Sequence, residues 1–136
     1  KFLWGYNRVA NNTANIPTPI IKGDYVFAAA GYGRGAALLK VTKEGAEFNV
    51  EEVYWNRALT NKHGGVILIG DKLYGDRDDG GQPWCADFAT GKVLWTRKGG
   101  EGRGSASVTA ADGKLFIRYS DGWVVLASAT AGQYEE

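Results

Sequence analysis

The sequence predicts an all-β fold built from repeated units. Three segments open alike, GDYVF at 23–27, GDKLY at 70–74 and DGKLF at 112–116, and the matching positions Val26, Leu73 and Leu115 are 47 and 42 residues apart. Each opener lies among short apolar runs of about four to eight residues, a length that suits strands rather than helices. Four short antiparallel strands in every unit are typical of a β-propeller blade, so we expect a β-propeller segment of about three blades.

The repeat assigns the whole chain, 1–136, to one such segment. Residues 1–7 match an outer strand, because KFLW at 1–4 resembles KVLW at 92–95. Complete blades are expected at 17–56 and 63–97, and an incomplete blade without its outer strand at 104–136. The expected strands are 17–22, 24–31, 35–42 and 50–56 in the first blade, 64–69, 71–76, 83–88 and 92–97 in the second, and 105–110, 114–119 and 123–128 in the third.

Three blades are too few to close a ring, because propellers have four to eight. The end blades would therefore leave unpaired strand edges. We expect the segment to belong to a larger ring or to be completed by other copies of the chain, with residues 1–7 of one copy completing the third blade of another. The absence of methionine also favours a processed or trimmed chain, or a piece of a longer protein.

Composition argues against several other classes of protein. The chain has a net charge of +1 and no aromatic and basic stripe, so nothing favours nucleic acid as a partner. No apolar stretch is long enough for a membrane span. Only one cysteine, Cys85, and one histidine, His63, are present, which rules out an internal disulfide and a two-histidine zinc motif. The redox compartment stays open.

A glycine-rich stretch, VFAAAGYGRGAALLKV at 26–41, imitates the G-x-G-x-x-A turn that binds dinucleotides. The repeat favours a different interpretation. Gly31 aligns with Asp78 in the second unit, and Gly33 aligns with Gly80 and then with Gly122. Because a strand follows each position, we expect hairpin tips, with no helix N-terminus to hold a phosphate.

The most specific pattern is D-x-x-T-G-K-x-x-W, formed by Asp87, Thr90, Gly91 and Trp95 in CADFATGKVLW. The aspartate can accept N–H groups of the following turn, and the glycine supplies a positive φ. The tryptophan can then pack on the neighbouring blade. Trp4 and Trp55 are predicted to be the matching tryptophans of the other units.

This pattern resembles the tryptophan-docking repeat of quinoprotein (PQQ) alcohol dehydrogenases and of PQQ-binding-like propellers such as BamB. Cys85 replaces the alanine of the family repeat, and Ser128 stands where the third unit would have aspartate. The resemblance implies a periplasmic or extracellular, bacterial protein. The calcium ligands, catalytic aspartate and adjacent-cysteine disulfide of the dehydrogenases have no match here.

The sequence therefore favours a non-catalytic scaffold or binding propeller, with no cofactor expected. One alternative is part of a dehydrogenase that uses PQQ and calcium. Another is a carbohydrate or small-ligand binder that uses the loops of one face. Those loops carry the candidate ligand-binding residues, which are His63, Asn61, Tyr32, Arg34, Arg77, Asp78 and Asp79.

The stretch DRDDGG at 76–81 is a weak candidate for a calcium site, because Asp76 and Asp78 partly imitate an EF-hand loop. The flanking segments are strands rather than helices, which argues against it. The simpler interpretation is a solvated hairpin tip in which Arg77 neutralises Asp78 or Asp79.

Overall fold

The computed structural model describes residues 1–97, 100–130 and 132–136. These residues form eleven strands and no helix. The first blade contains β1 (Ile20–Lys22), β2 (Tyr25–Ala30), β3 (Gly35–Glu44) and β4 (Glu47–Asn56). The second contains β5 (Ile67–Ile69), β6 (Lys72–Arg77), β7 (Gln82–Asp87) and β8 (Val93–Thr96). The third contains β9 (Ala106–Ala111), β10 (Lys114–Tyr119) and β11 (Val124–Ser128).

Each blade is an antiparallel meander, and hydrogen bonds join neighbouring strands in the order of the sequence. The all-β prediction and the three-unit repeat are confirmed, and the sheets form an open, partial β-propeller. The part of the chain that the structure describes includes no helix able to cross a membrane.

Several parts of the predicted strand map differ from the structure, and β1 and β5 each begin three residues later than predicted. Residues 1–7, predicted as an outer strand, are not assigned to a strand. The hairpin of β3 and β4 is also longer than predicted and turns at 45–46. The fourth strand of the third blade is absent from the described residues, where Glu135 only accepts one backbone hydrogen bond from Ser128, at 2.8 Å.

Consecutive apolar residues in β2, β3, β6 and β7 point to opposite faces of their sheets, so the first and second blades each have two buried faces. One cluster joins the first and second blades and includes Phe27, Leu38, Leu73 and Trp84. A second cluster joins the second and third blades and includes Tyr74, Cys85, Trp95, Leu115 and Ile117.

The outer face of the first blade has an apolar cluster of its own. Val9, Ala30, Ala37 and Leu39 are buried there, and Trp4 packs partly against them. The N-terminal segment therefore lies on this face much as an outer strand of a preceding blade would.

The pairing register corrects one predicted residue. Trp95 pairs with Cys85, and a β-bulge follows in which Ala86 pairs with Val93. In the first blade the same bulge follows the pair of Leu38 and Tyr54. Tyr54 therefore occupies the position of Trp95, whereas Trp55 was predicted to do so.

Neighbouring residues of a strand point to opposite faces of the sheet, so Tyr54 and Trp55 pack on opposite sides of the first blade. Tyr54 faces the second blade, where its hydroxyl donates to the Phe88 carbonyl at 2.9 Å. Trp55 instead packs with the cluster on the first blade's outer face and donates to the Arg34 carbonyl at 2.9 Å.

Candidate functional site

The candidate residues lie on one face of the segment, which we call the hairpin face. It consists of the hairpin tips 31–34, 78–81 and 120–122 and the loops 57–66 and 100–105 that lead to the next blade. Contacts between blades draw these loops together. The Gly33 amide donates to Asp78 at 3.0 Å, and Gly80 forms a bridge with Gly104.

The hairpin tip with residues 76–81, which we call the acidic hairpin, joins the second blade to both neighbouring blades. Asp78 Oδ2 binds the Gly33 amide of the first blade, as described above. Asp76 Oδ2 accepts the Ala106 amide of the third blade at 2.8 Å. Asp79 Oδ1 accepts the Ser105 hydroxyl at 2.9 Å. The three carboxylates therefore act first as links between blades.

Lys62 neutralises the acidic hairpin, a role that the sequence assigned to Arg77. Its ammonium group lies 2.7 Å from both carboxylate oxygens of Asp79. This hydrogen bond, followed by the one from Ser105, lowers the pKa of Asp79. Arg77 is exposed and forms no ion pair with the described residues. The prediction of an Arg77 pair is therefore wrong.

Asp76 is the most perturbed acid on this face. Its side chain is only 1% exposed, and burial raises the pKa of the carboxyl to about 7. The hydrogen bond from Ala106 opposes this rise, and Asp76 Oδ1 has no hydrogen-bond partner among the described residues. Burial therefore keeps Asp76 protonated at pH values where a solvent-exposed aspartate is ionised.

Asn61 and His63 differ in their surroundings. Asn61 is fully buried, donates to the Asp76 carbonyl at 3.2 Å and accepts the Gly65 amide at 2.9 Å. It therefore shapes the loop rather than facing solvent. His63 is exposed on the hairpin face and contributes slightly to the lowered pKa of Asp79.

Tyr32 and Arg34 lie at the first hairpin tip. The Tyr32 ring is 43% exposed, and the Lys62 ammonium lies 5.2 Å from its centroid. Arg34 Nε donates to the Ala10 carbonyl at 2.6 Å. Gly31 begins this tip, and a Cβ atom added to Gly31 would lie only 2.6 Å from Lys62 Cα. Glycine is therefore required for the close approach of the two loops.

The acidic hairpin does not fit a calcium site by itself. Calcium takes six to eight oxygen ligands. Asp76 and Asp78 each use one carboxylate oxygen for a backbone amide, and Asp79 is paired with Lys62. No group of three or more potential metal-binding His, Cys, Asp or Glu residues occurs within 1–97, 100–130 and 132–136.

The tryptophan-docking turn lies at the opposite ends of the strands. Asp87 Oδ1 accepts the amide of Thr90 at 3.0 Å, as the sequence predicted, and it also accepts the Thr90 hydroxyl at 2.8 Å. Asp87 Oδ2 binds Lys72 at 2.9 Å, and this bond, followed by those from Thr90, lowers the pKa of Asp87 to about 2. Gly91 has a φ of 67°.

This turn is also a contact between blades. Trp95 packs into the cluster shared with the third blade, and its indole donates to the Thr130 carbonyl at 2.9 Å. Tyr54 of the first blade packs on Gly91, where a Cβ atom would lie 2.5 Å from the tyrosine ring. Trp95 and Tyr54 thus dock in the same way onto successive blades.

A cavity of about 530 Å³ opens beside this turn, between the first and second blades. Tyr25 and Phe88 form one wall, with their ring centroids 6.5 Å apart, and Val53 contributes a further apolar surface. Lys22 binds Asp71 at 2.7 Å at its edge. A cavity at this place could not be predicted from the sequence, because its walls come from five separate segments of the chain.

Arg97 is a further residue that sequence reasoning missed. Its side chain is 2% exposed and its Nη1 donates to the Gly81 carbonyl at 3.1 Å and the Tyr119 hydroxyl at 2.9 Å. Glu136 lies 3.4 Å from its Nε. Arg97 therefore fixes the third blade to the acidic hairpin. The position of Arg97 directly after β8 was the only feature of the sequence that could have indicated a role between blades.

The blade register and the docking turns define a segment of a β-propeller with PQQ-like repeats. The family model for the outer membrane protein assembly factor BamB matches residues 2–97, well over half of the chain, and the chain belongs to this family. A search of the curated proteins found no match.

Among solved structures, a europium-containing methanol dehydrogenase has a similar fold, with a TM-score of 0.55 at 15% sequence identity. The match covers 85% of this chain and 23% of that one. The chain therefore spans about a quarter of the length of this structural relative, and the likeness concerns the fold.

Proposed function

We propose that the chain is a non-catalytic β-propeller segment that serves as a scaffold and binding surface in a larger, exported bacterial assembly. Membership of the assembly-factor family supports a scaffold role. It is also the basis for proposing a periplasmic or extracellular location. Further blades, or further copies of the chain, would be its immediate partners.

The observation that carries this proposal is the use of the acidic side chains on the hairpin face. Asp76, Asp78 and Asp79 bind Ala106, Gly33 and Ser105 of neighbouring blades, and Asn61 holds the adjoining loop. Carboxylates on the face with the candidate ligand-binding residues are thus used to hold blades together. The arrangement supports a rigid face rather than a reactive one.

A reconstitution experiment tests the non-catalytic role against the dehydrogenase alternative. The full chain is mixed with PQQ and calcium, and quinone absorbance and dye reduction by primary alcohols are measured after removal of free PQQ. We expect neither retained quinone absorbance nor alcohol-dependent dye reduction. Retained PQQ together with turnover of an alcohol would overturn the proposal.

A further inference from the structure

Two arginines are held in similar ways at the first hairpin tip. Arg34 Nε donates to the Ala10 carbonyl at 2.6 Å, and Arg57 Nε donates to the Gly33 carbonyl at 3.1 Å. Both bonds use the inner nitrogen of the guanidinium group. The terminal Nη atoms of both arginines form no hydrogen bond with the described residues, so their paired donors remain available to a ligand.

These arginines line a cavity of about 290 Å³. Its walls are Arg8, Tyr32, Gly33, Arg34, Trp55 and Arg57. A second cavity of about 360 Å³ shares Gly33 and Arg57 and is also lined by Arg77. Arg57 therefore stands between two openings, with a further arginine beside it.

Positive charge exceeds negative charge around these cavities. Arg8 is paired with Glu52 at 2.5 Å and lies 4.4 Å from the Trp55 ring centroid. Arg34, Arg57 and Arg77 form no ion pair within the described part of the chain, and Asp78 is the one acidic residue that lines either cavity. Planar guanidinium forks match the oxygens of carboxylate and phosphate groups.

The cavity lined by Arg34 and Arg57 lies away from the central channel of a propeller, where the inner strands would face a ligand. Trp55 lies near the end of β4, the outermost strand of the first blade, and Arg57 follows it directly. The inner strand, β1, lies on the other side of the sheet. The arginine cavity is therefore at the outer rim of the hairpin face.

We propose that Arg34 and Arg57 bind an oxyanion, either a carboxylate or a phosphate group, in this rim cavity, with Tyr32 and Trp55 as its flanking walls. Nη donors of the two guanidinium groups would contact the ligand oxygens, and Arg77 would add long-range attraction. The site goes beyond the proposed scaffold role and would stand without it, because it needs only the N-terminal segment, the first blade, the adjoining loop and the acidic hairpin.

The Trp55 indole offers a local reporter, because its Nε1 donates to the Arg34 carbonyl at 2.9 Å. The ¹⁵N-labelled full chain is titrated with inorganic phosphate and, separately, with acetate, while the five indole resonances are followed by NMR. We expect a saturable shift of the Trp55 indole signal that weakens as sodium chloride is added. The anion that saturates at the lower concentration identifies the preferred group.

Substitutions distinguish specific binding by Arg34 and Arg57 from general attraction of the anion to a positively charged protein. Arg57→Gln and Arg34→Gln should each weaken binding by about tenfold, the loss of a charged hydrogen bond. Arg57→Lys keeps the charge without the fork and should lose most of the same affinity. Arg118→Gln removes an equal charge from the third blade, where Arg118 donates to the Tyr119 carbonyl, and should bind as the unaltered chain does.

Three outcomes would overturn the site. These are the absence of a saturable shift with either anion, unchanged binding in the folded Arg57 variants, and an equal loss in Arg118→Gln. None of them bears on the PQQ reconstitution, so failure of this site and failure of the scaffold role can be told apart.

Discussion

At the scale of single residues, the hairpin face combines buried polar groups with glycines that permit close approach. Asp76 is an example of such a buried polar group, because its side chain is only 1% exposed. One carboxylate oxygen accepts the Ala106 amide, and the other has no hydrogen-bond partner among the described residues. Burial penalises the charged form of such a carboxyl, so its ionisation lowers the stability of the fold. Its protonation state should therefore be visible in the stability of the whole segment.

The pH dependence of unfolding tests the state of Asp76. Its pKa is about 7 in the folded chain against 3.8 for the free group, so its favourable contribution is complete below about pH 4 and is lost as pH rises through 7. We expect Asp76→Asn to remove this loss, which amounts to at most about 4 kcal/mol, and to be more stable than the unaltered chain at pH 8. Urea unfolding at pH 4 to 8 measures the difference.

The exposed Asp112, in the turn between β9 and β10, provides the control. Asp112→Asn should keep the pH dependence of the unaltered chain. If the free energy of unfolding of Asp76→Asn followed the same pH profile as that of the unaltered chain, ionisation of Asp76 would not destabilise the fold. That result would contradict the prediction.

Gly91 tests the role of the docking turn. Its φ is 67°, and a Cβ atom would lie 2.5 Å from the Tyr54 ring. Gly91→Ala should therefore destabilise the chain by about 2 kcal/mol or more, from backbone strain and from the displaced ring together. Gly45 is a matched control, with a φ of 61° and open space around its Cβ position. Gly45→Ala should cost only about 1 kcal/mol in urea unfolding, and equal losses would argue against docking through Gly91.

At the scale of strands and turns, the outer strand of each complete blade carries one aromatic residue that docks onto the next blade. Tyr54 reaches the Phe88 carbonyl and Trp95 reaches the Thr130 carbonyl, both at 2.9 Å. Both residues precede the same β-bulge in their pairing with the third strand. The two blades thus share one docking position on the outer strand, which tyrosine fills in the first blade and tryptophan in the second.

The docking position predicts how Tyr54 responds to substitution. Tyr54→Phe removes the hydroxyl donor and leaves the Phe88 carbonyl without it, so we expect a loss of about 1 kcal/mol in the free energy of unfolding. Tyr54→Trp should recover part of this loss, because an indole already fills the equivalent position at Trp95. Thermal unfolding of both variants is the measurement. A tryptophan variant that is less stable than the phenylalanine one would contradict the equivalence.

The strands illustrate what can be read from the sequence and what cannot. The hairpin alignment of Gly31 with Asp78 is confirmed by register, because turn chemistry and strand spacing are local. The choice of Trp55 failed because Tyr54 and Trp55 point to opposite faces of the first blade, and a shift of one residue in register reverses the face. The partners of Asp76 and Asp78 are 30 and 45 residues away, so the sequence could propose these acids but not the amides they bind.

At the scale of the whole molecule, one blade face remains open. Phe27 and Leu38 of the first blade pack onto the second, and Tyr74 and Cys85 of the second pack onto the third. The repeat places Phe116 and Leu126 on the equivalent face of the third blade, where they are 43% and 50% exposed. Val124 and Trp123 add to this apolar surface. By continuity with the two packed interfaces, the open face should receive another blade of the same kind.

Self-association therefore provides the last prediction. In the isolated chain, a second copy is the available source of such a blade, so light scattering should show a mass that rises with concentration in the micromolar range. Phe116→Lys with Leu126→Lys places two charges on the open face and should leave a folded monomer. Ile21→Lys with Ile69→Lys adds the same charge at exposed sites on two inner strands, β1 and β5, and should associate as before. A folded, unaltered chain that stays monomeric throughout this range would rule out association between copies and leave a longer polypeptide as the source of the missing blade.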